Sequence, residues 1–573
     1  MEKVFTSTLL YCTLVFILFH NAPSNCLEYT PPSEKSENSS NATTIELHEG
    51  IEFAFEPYKT WGQGIELDSL LLVAYPKSSE EVVELVNWAR KNGRNVRPRG
   101  FKHSFPPLTV TKDTDPSKVV LVDMVRHITN LEMTTIPAED TVTNETLRAV
   151  KAETGASWQD LMTFLETNNA GLVHSIIIGD ATIGGVLAIG AHGAAVPAKG
   201  EFLKPGFSFG SLSNLIAAFK AVVWDPETKT YVLKSFSRSD PDSRVFLAHV
   251  GRAFLTEVTL IVGENYSLRC KSIVDIPAEE LFADPDKNPN ATRTFASFLD
   301  ETGRADVQWY QFTKNPWLKV WSVEPSKPSS CVEVNGPYNY QFPVNINEPT
   351  KTVPELGEIA YENVLKGLAS KNASDVWGAS KNIMLYSNGS SQPIVYGGVV
   401  VLTSREKIQK VLSTVVNFYK SLNDEYAAKS EYPIDYYIKF RVTGIDNAND
   451  TLIKDAVNTV LSPLSPPKEY PDFNVAFWMN TFTHRNNKLG NQFMKRFEEF
   501  YYDTFNGEPG LARPEWSKSW AYTDEGPFTN TNMLEKIIPA RFGSDWEWAV
   551  SVLNKYDPER VFSNSFLDNS LHL

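Results

Sequence analysis

The segment at residues 179–195 (GDATIGGVLAIGAHGAA) constrains the fold most, because it is apolar and carries five glycines in its first 15 positions. Glycine lets the backbone come close to a ligand, and exposed N–H groups in such a stretch can hold a pyrophosphate. The segment lacks the GxGxxG spacing of a Rossmann fold, and no acidic residue follows at the expected offset. It therefore suggests a phosphate-bearing ligand in a fold of another type.

Short strands and capped helices surround this segment. The sequence from Leu71 predicts a strand that ends at Pro76, and the next stretch predicts a helix because Ser78 and Glu81 have capping-box spacing and Gly93 suits a C-terminal cap. Trp158, Leu161, Phe164 and Leu165 predict one face of a second helix. The pattern up to about residue 262 predicts an α+β fold.

The region from 265 to 540 differs in composition, because aromatic residues recur along its predicted strands and helices. Phe493, Phe497, Tyr501 and Phe505 recur every four residues, which predicts a buried helical stripe. Such a domain suits an apolar or amphipathic ligand, although a large aromatic core would give the same composition.

Charge and the N-terminus narrow the cellular setting. The net charge of −15 argues against a nucleic-acid partner. Residues 1–26 resemble a secretory signal peptide, with an N-terminal anchor as the alternative, and residues 27–50 a flexible lead-in. No later stretch is long and apolar enough to span a membrane. Eight N-x-S/T sequons fit a secreted glycoprotein: Asn38, Asn41, Asn144, Asn265, Asn290, Asn372, Asn388 and Asn449.

The sequence has few cysteines, and their spacing is not that of a metal site. Beyond the leader region, Cys270 and Cys331 remain, and an oxidising compartment permits a bridge between them as readily as two buried thiols. No His/Cys cluster has the spacing of a zinc site, so no metal is expected.

Two further segments carry possible chemistry. VRPRGFKHSF, residues 96–105, predicts a strand followed by a loop that bears His103 and Ser104. A single loop histidine is usually only an exposed or satisfied side chain. YDPERVFSNSFLDNSL, residues 556–571, is equally compatible with a tail packed on the core.

Taken together, the three segments resemble the FAD-linked oxidases of the vanillyl-alcohol-oxidase/PCMH type, a family that includes sugar-lactone and alditol oxidases. In that family a G-x-x-H-S loop bonds a histidine to the flavin 8α-methyl carbon, and the match implies a covalent link at His103. The resemblance implies a cofactor site built from Arg99, Gly100, Phe101, Lys102, His103, Ser104, Gly179, Thr182, Gly184, Gly185, Gly190, His192, Gly193, Val258 and Asn564.

Within the family, the sequence is most similar to the covalent-flavin (type II) cholesterol oxidases, through RTFASFLD, PWLKVW, YNYQFP and RVTGID. RPEWSKSW is similar to the family's RPHWGK-like motif, with Glu515 where histidine is usual. The resemblance implies a two-subdomain PCMH-type FAD-binding domain over 51–264 and a larger α+β substrate-binding domain over 265–540. Residues 541–573 are expected to return to the FAD domain.

The chain departs from this subgroup at one catalytic position. The subgroup has an acid-x-Arg pair over the flavin, whereas here Lys439 takes the place of the glutamate and Arg441 is kept. A lysine acts as base only if burial or the Arg441 charge lowers its pKa. Asp306, where the subgroup has another acidic residue, is expected to pair with Arg441 or Lys439. These three residues are the predicted catalytic group.

Three functions remain open on this basis. The first is oxidation of a sterol-like or other secondary alcohol, with dioxygen as acceptor and hydrogen peroxide as product. The second is oxidation of a polyol, sugar or aldonolactone on the same scaffold. The third is a secreted flavin-carrying protein without turnover, which Lys439 keeps open.

Overall fold

Buried strands and capped helices alternate from residue 52 onward. The computed structural model describes residues 47–336, 355–385, 394–434, 436–485 and 487–573. The predicted signal peptide and most of the predicted lead-in lie outside these residues, as do the YNYQFP motif and the sequons at Asn38, Asn41 and Asn388.

The strands of the described residues, in chain order, are β1 (Glu52–Glu56), β2 (Leu71–Tyr75), β3 (Asn95–Arg99), β4 (Val119–Asp123), β5 (Leu131–Ile136), β6 (Leu147–Glu153), β7 (Ala170–Gly171), β8 (Ile216–Asp225), β9 (Thr230–Ser237), β10 (Phe254–Ile261), β11 (Gly263–Glu264), β12 (Ser267–Ile273), β13 (Ala305–Tyr310), β14 (Trp317–Val323), β15 (Val332–Glu333), β16 (Asp375–Ala379), β17 (Ile394–Thr403), β18 (Tyr437–Gly444), β19 (Val475–His484), β20 (Asn506–Gly507) and β21 (Gly510–Pro514).

The α-helices are α1 (Ser79–Lys91), α2 (Trp158–Thr167), α3 (Ile183–Ala188), α4 (Ser243–Phe246), α5 (Ala278–Leu281), α6 (Phe295–Thr302), α7 (Glu355–Ser370), α8 (Ser380–Met384), α9 (Ile408–Ala427), α10 (Lys488–Thr504), α11 (Ile538–Phe542), α12 (Ser544–Tyr556) and α13 (Ser565–Asn569). Helix α1 begins as predicted, because the Ser78 hydroxyl accepts a hydrogen bond from the Glu81 N–H. The stripe at Phe493, Phe497 and Tyr501 is buried along α10, which confirms that prediction.

Two sheets form the N-terminal half. A four-stranded sheet has the order β1-β2-β4-β3. Two of its three strand pairs are parallel, namely β2 with β4 and β3 with β4. An antiparallel sheet has the order β5-β6-β10-β8-β9. Strand β3 ends at Arg99, so it delivers the following histidine loop to the carboxyl end of the first sheet.

A ten-stranded sheet dominates the second half, in the order β15-β16-β12-β14-β13-β18-β19-β17-β21-β20. Successive side chains of a strand point to opposite faces. On one face, Val307, Phe440 and Phe477 join the core that contains α9 and α10. The other face carries Asp306, Lys439 and Asn480 and lines a cavity. Separate sheets with helices packed on them confirm the predicted α+β class.

The C-terminal residues pack against the first sheet. The N–H of Val96 on β3 donates to the Val561 carbonyl at 2.8 Å, and the Arg97 guanidinium donates to the Phe562 carbonyl. Asp557 forms a fully buried ion pair with Arg252 at 2.7 Å. These contacts tie residues 557–562 to the strand that precedes the histidine loop.

We expect Asp557→Ala to lower the free energy of unfolding by about 3–5 kcal/mol, since it leaves the buried Arg252 charge without its ion-pair partner. The carboxylate also accepts bonds from the Tyr231 hydroxyl and from two main-chain N–H groups. Denaturant titration measures the change. As control, Glu362→Ala removes only an exposed pair with Lys366 and should change stability by less than about 1 kcal/mol. Equal stability of the two variants would contradict the assigned role of Asp557.

Both cysteines in the described part of the chain, Cys270 and Cys331, are buried free thiols, so the alternative of two unbridged cysteines holds. The Cys331 thiol donates to Asp375 at 3.2 Å. None of the described helices combines the length and apolar character needed to cross a bilayer.

Candidate active site

A cavity of about 540 Å³ lies between the loop after β3, the glycine-rich segment and the polar face of the ten-stranded sheet. The predicted residues that line it are Arg99, Gly100, Phe101, Lys102, His103, Ser104, Thr182, Gly184, Gly185, His192, Gly193, Asp306, Lys439 and Arg441. The structure thus brings residues from three distant parts of the sequence to one space.

The loop after β3 is anchored at its start and pressed onto the glycine-rich segment. Arg99 pairs with Asp123 at 2.9 Å and with Glu56 at 2.6 Å. A Cβ at Gly100 would lie 2.4 Å from Thr182 Oγ1, so only glycine fits there. Lys102 then adopts a left-handed conformation, with φ of 62°.

The main-chain amides of this loop suit an anion better than those of the glycine-rich segment. Within the described chain, the N–H groups of residues 101–104 donate to no protein acceptor. The Gly184 N–H, in contrast, donates to the Thr154 carbonyl, and the Gly185 N–H to the Thr182 hydroxyl. Consecutive free N–H groups form an anion-binding concavity. The loop therefore fits the diphosphate of FAD. The glycines of the other segment allow its backbone to come close to the cofactor.

The His103 side chain faces the cavity and is held from one side. Its Nε2 lies 3.0 Å from the Asp180 carbonyl oxygen and 3.4 Å from Asp180 Oδ1. The opposite atom, Nδ1, is buried and has no hydrogen-bond partner among the described atoms. The Trp61 ring packs on the imidazole, with centroids 5.6 Å apart. A buried ring nitrogen without a partner fits a site where a further group is bound.

Three neighbouring strands assemble the predicted catalytic group. Asp306 on β13 is directly opposite Arg441 on β18 and Lys319 on β14. Lys439 shares its face with Arg441, because the two are separated by one residue. Asp306 pairs with Lys439 at 2.8 Å and with Lys319 at 3.1 Å, so the expected Asp306–Lys439 pair is present.

Burial sets the protonation of this group. Lys439 is 5% exposed, and burial lowers its pKa to about 8, against the opposing effect of Asp306 and with help from the Lys319 and Arg441 charges. Burial raises the pKa of Asp306, but Lys319 and Lys439 more than offset this and lower it to about 2. The Asp306 carboxylate therefore pairs with two lysines, and of these only Lys439 lines the cavity.

Arg441 is fixed by a second network. Its guanidinium donates to Asn480 Oδ1, pairs with Glu515 at 3.2 Å and lies 3.3 Å from His192 Nε2. The His192 ring stacks on Trp478, with centroids 3.4 Å apart. Burial and the Arg441 charge lower the pKa of His192 to about 4, so this imidazole is neutral and accepts from Arg441.

Four predicted cofactor residues lie outside the cavity lining. Gly179 lies against Gln159, Gly190 against Ser462, and Val258 is buried in β10. Asn564 caps α13 and donates to the Pro107 carbonyl at 2.9 Å. In this structure these four residues are therefore not part of the cavity wall.

Sequence reasoning missed several lining or supporting residues: Trp61, Asp180, Lys319, Asn480 and Lys518. Period-two alternation around Asp306 and Lys439 could have indicated Lys319 and Asn480, given the strand order. Glu515, noted only as a departure from a motif, proves to hold Arg441 in place.

Comparisons with known proteins agree with this geometry. Residues 267–572 match the family model described as cholesterol oxidase, substrate-binding, and residues 70–204 match the FAD binding domain model. A comparison with curated protein sequences gives no match.

The fold is similar to solved cholesterol oxidases. A solvent-stable cholesterol oxidase is 36% identical, with a TM-score of 0.85 over 91% of this chain and 98% of that one. Cholesterol oxidase from Brevibacterium sterolicum is 34% identical, with a TM-score of 0.85 over 92% and 98%. GilR, an oxidoreductase of gilvocarcin biosynthesis, is 15% identical with a TM-score of 0.51 over 87% and 94%, and shows the fold alone. The chain therefore belongs to the cholesterol oxidase family of FAD-dependent oxidoreductases, which act on CH–OH donors.

Proposed function

We propose that this protein oxidises the CH–OH group of a sterol-like or other secondary alcohol, passes the electrons to dioxygen and releases hydrogen peroxide. FAD, when bound, supplies the acceptor for the hydride that leaves the substrate carbon. The observation that carries the proposal is the cluster of Asp306, Lys439 and Arg441 at the wall of a cavity that the histidine loop also lines.

Lys439 is the base in this proposal. A neutral amine that donates one N–H to Asp306 at 2.8 Å keeps its lone pair for the substrate hydroxyl proton. Once Lys439 is protonated, the same carboxylate stabilises the ammonium group. The Arg441 guanidinium, fixed by Asn480 and Glu515, stabilises negative charge that develops on the substrate oxygen.

The remaining lining favours an apolar substrate over a polyol. Leu268, Met384, Ile394, Tyr436 and Phe482 are among the residues that line the cavity. A polyol needs several hydrogen-bond partners, and apolar walls leave its hydroxyl groups unpaired at a cost of about 1–3 kcal/mol each. The sterol-like substrate class is therefore preferred to sugars or aldonolactones.

We expect peroxide release with 3β-hydroxysterols and little with alditols or aldonolactones. The measurement is a coupled peroxidase assay on the purified flavin-loaded protein across a panel of these alcohols. Turnover of polyols alone would contradict the sterol-like class. Bound flavin with no turnover of any alcohol would favour the flavin-carrying alternative.

We propose further that the protein is secreted and glycosylated, as its N-terminal residues suggest. The sequon asparagines Asn144, Asn290, Asn372 and Asn449 are exposed, as glycan attachment requires. Expression in a eukaryotic secretory host should place the protein in the medium, with lower electrophoretic mobility that endoglycosidase restores. Retention in the cytosol with an intact leader would contradict this.

A further inference from the structure

We propose that Asp180 is the positioning residue that prepares His103 for bonding to FAD. Its main-chain carbonyl fixes the imidazole tautomer, and its carboxylate accepts the proton that the ring releases. The inference rests on the proposed FAD-dependent function and on the covalent link at His103 that the family resemblance implies, and it extends them to the group that makes the attachment proceed.

The carbonyl settles which ring nitrogen carries the hydrogen. A carbonyl oxygen only accepts, so Nε2, 3.0 Å from the Asp180 oxygen, must donate. Nδ1 then carries the lone pair. That atom is buried and has no partner among the described atoms, and His103 lines the cavity. The nucleophilic nitrogen is thus the one that lacks a partner.

The carboxylate lies next to the nitrogen that must lose its proton. Asp180 Oδ1 is 3.4 Å from Nε2, and this buried oxygen has no hydrogen-bond partner in the described chain. Partial burial raises the pKa of Asp180, but the neighbouring His103 outweighs this effect and the pKa falls below the usual range. No other acidic side chain of the described residues pairs with His103. Asp180 is therefore ionised and placed to take the proton.

In the attachment reaction, a bond forms between His103 Nδ1 and the 8α-methyl carbon, and one C–H bond of that methyl group breaks. The methyl proton is released, the Nε2 proton moves to Asp180, and the two electrons of the C–H bond reduce the flavin ring system. Dioxygen, the acceptor in the proposed function, takes those two electrons together with two protons, one from the methyl group and one from the imidazole by way of Asp180, and becomes hydrogen peroxide.

Asp180→Asn tests this, because it keeps the main-chain carbonyl and the side-chain volume and removes only the charge. The full-length protein, produced with little flavin, is mixed with FAD, and samples are denatured in acid over time. Flavin fluorescence that stays with the denatured chain measures attachment per bound FAD. We expect the attachment rate to fall by roughly 10²-fold or more, the effect of losing a positioned proton acceptor. Asp160→Asn, in a carboxylate that bonds Ser157 instead, should attach FAD at the wild-type rate.

The outcomes separate this inference from the proposal beneath it. Wild-type protein that binds FAD but never retains it after denaturation would refute the attachment at His103 itself. A wild-type protein that attaches FAD while Asp180→Asn attaches it equally fast would overturn only the role of Asp180. Where Asp180→Asn binds less FAD, the rate per bound FAD decides, and recovery of that rate by Asp180→Glu supports the role.

Discussion

Lys439→Met is expected to lower kcat by roughly 10²–10⁴-fold, the range for loss of a general base, with FAD content unchanged. Lys439 is the buried amine whose pKa burial brings to about 8, and Asp306 orients it toward the cavity. The variant should fold, because Lys319 still pairs with the Asp306 carboxylate at 3.1 Å. Steady-state peroxide production with the best alcohol of the panel measures the effect.

The pH dependence checks the same role. Since only neutral Lys439 accepts a proton, wild-type kcat/KM should rise with pH and level off above about 8, falling tenfold per unit below that value. The exposed Lys271, replaced by methionine, should leave both rate and profile unchanged. A Lys439→Met variant with wild-type kcat would remove Lys439 from the mechanism.

His103→Ala is expected to abolish covalent flavin completely while leaving the fold intact. The imidazole contacts Trp61 and Asp180, and its side chain is 18% exposed and lines a cavity, so its loss opens no large new cavity in the core. FAD should still bind through the loop amides, but acid precipitation should leave all yellow colour in the supernatant.

The control for this experiment is His127→Ala, which removes an exposed histidine from the same half of the chain. That variant should keep flavin in the pellet, as the wild type does. Tethered flavin in His103→Ala would refute His103 as the linking residue, whereas colourless wild-type protein would refute the cofactor itself.

Local features were predictable from the sequence because they depend on neighbouring residues. The Ser78 cap, the α10 stripe and the shared face of Lys439 and Arg441 follow from spacing alone. The fold class, the FAD cofactor and the enzyme class followed from motifs together with a family resemblance, and the comparisons confirm them.

Long-range contacts were not predictable in the same way. Asp180 meets His103 across 77 residues, and Lys319 meets Asp306 only because β14 pairs with β13. Asn564 was predicted as part of the cofactor site, and its hydrogen bond to the Pro107 carbonyl, across 457 residues, could not be read from spacing. The pairing of the two cysteines was open because spacing does not fix distance, and the fold leaves both unbridged.

The hydrogen bond from Val96 to Val561 has a consequence for biosynthesis. Strand β3 lies at the edge of its sheet, and residue 561 is synthesised long after that strand. Until residue 561 has been synthesised, this edge of the sheet lacks that hydrogen-bond partner. We therefore expect cofactor capture to follow the synthesis of residue 561, so that bound flavin marks molecules synthesised at least that far.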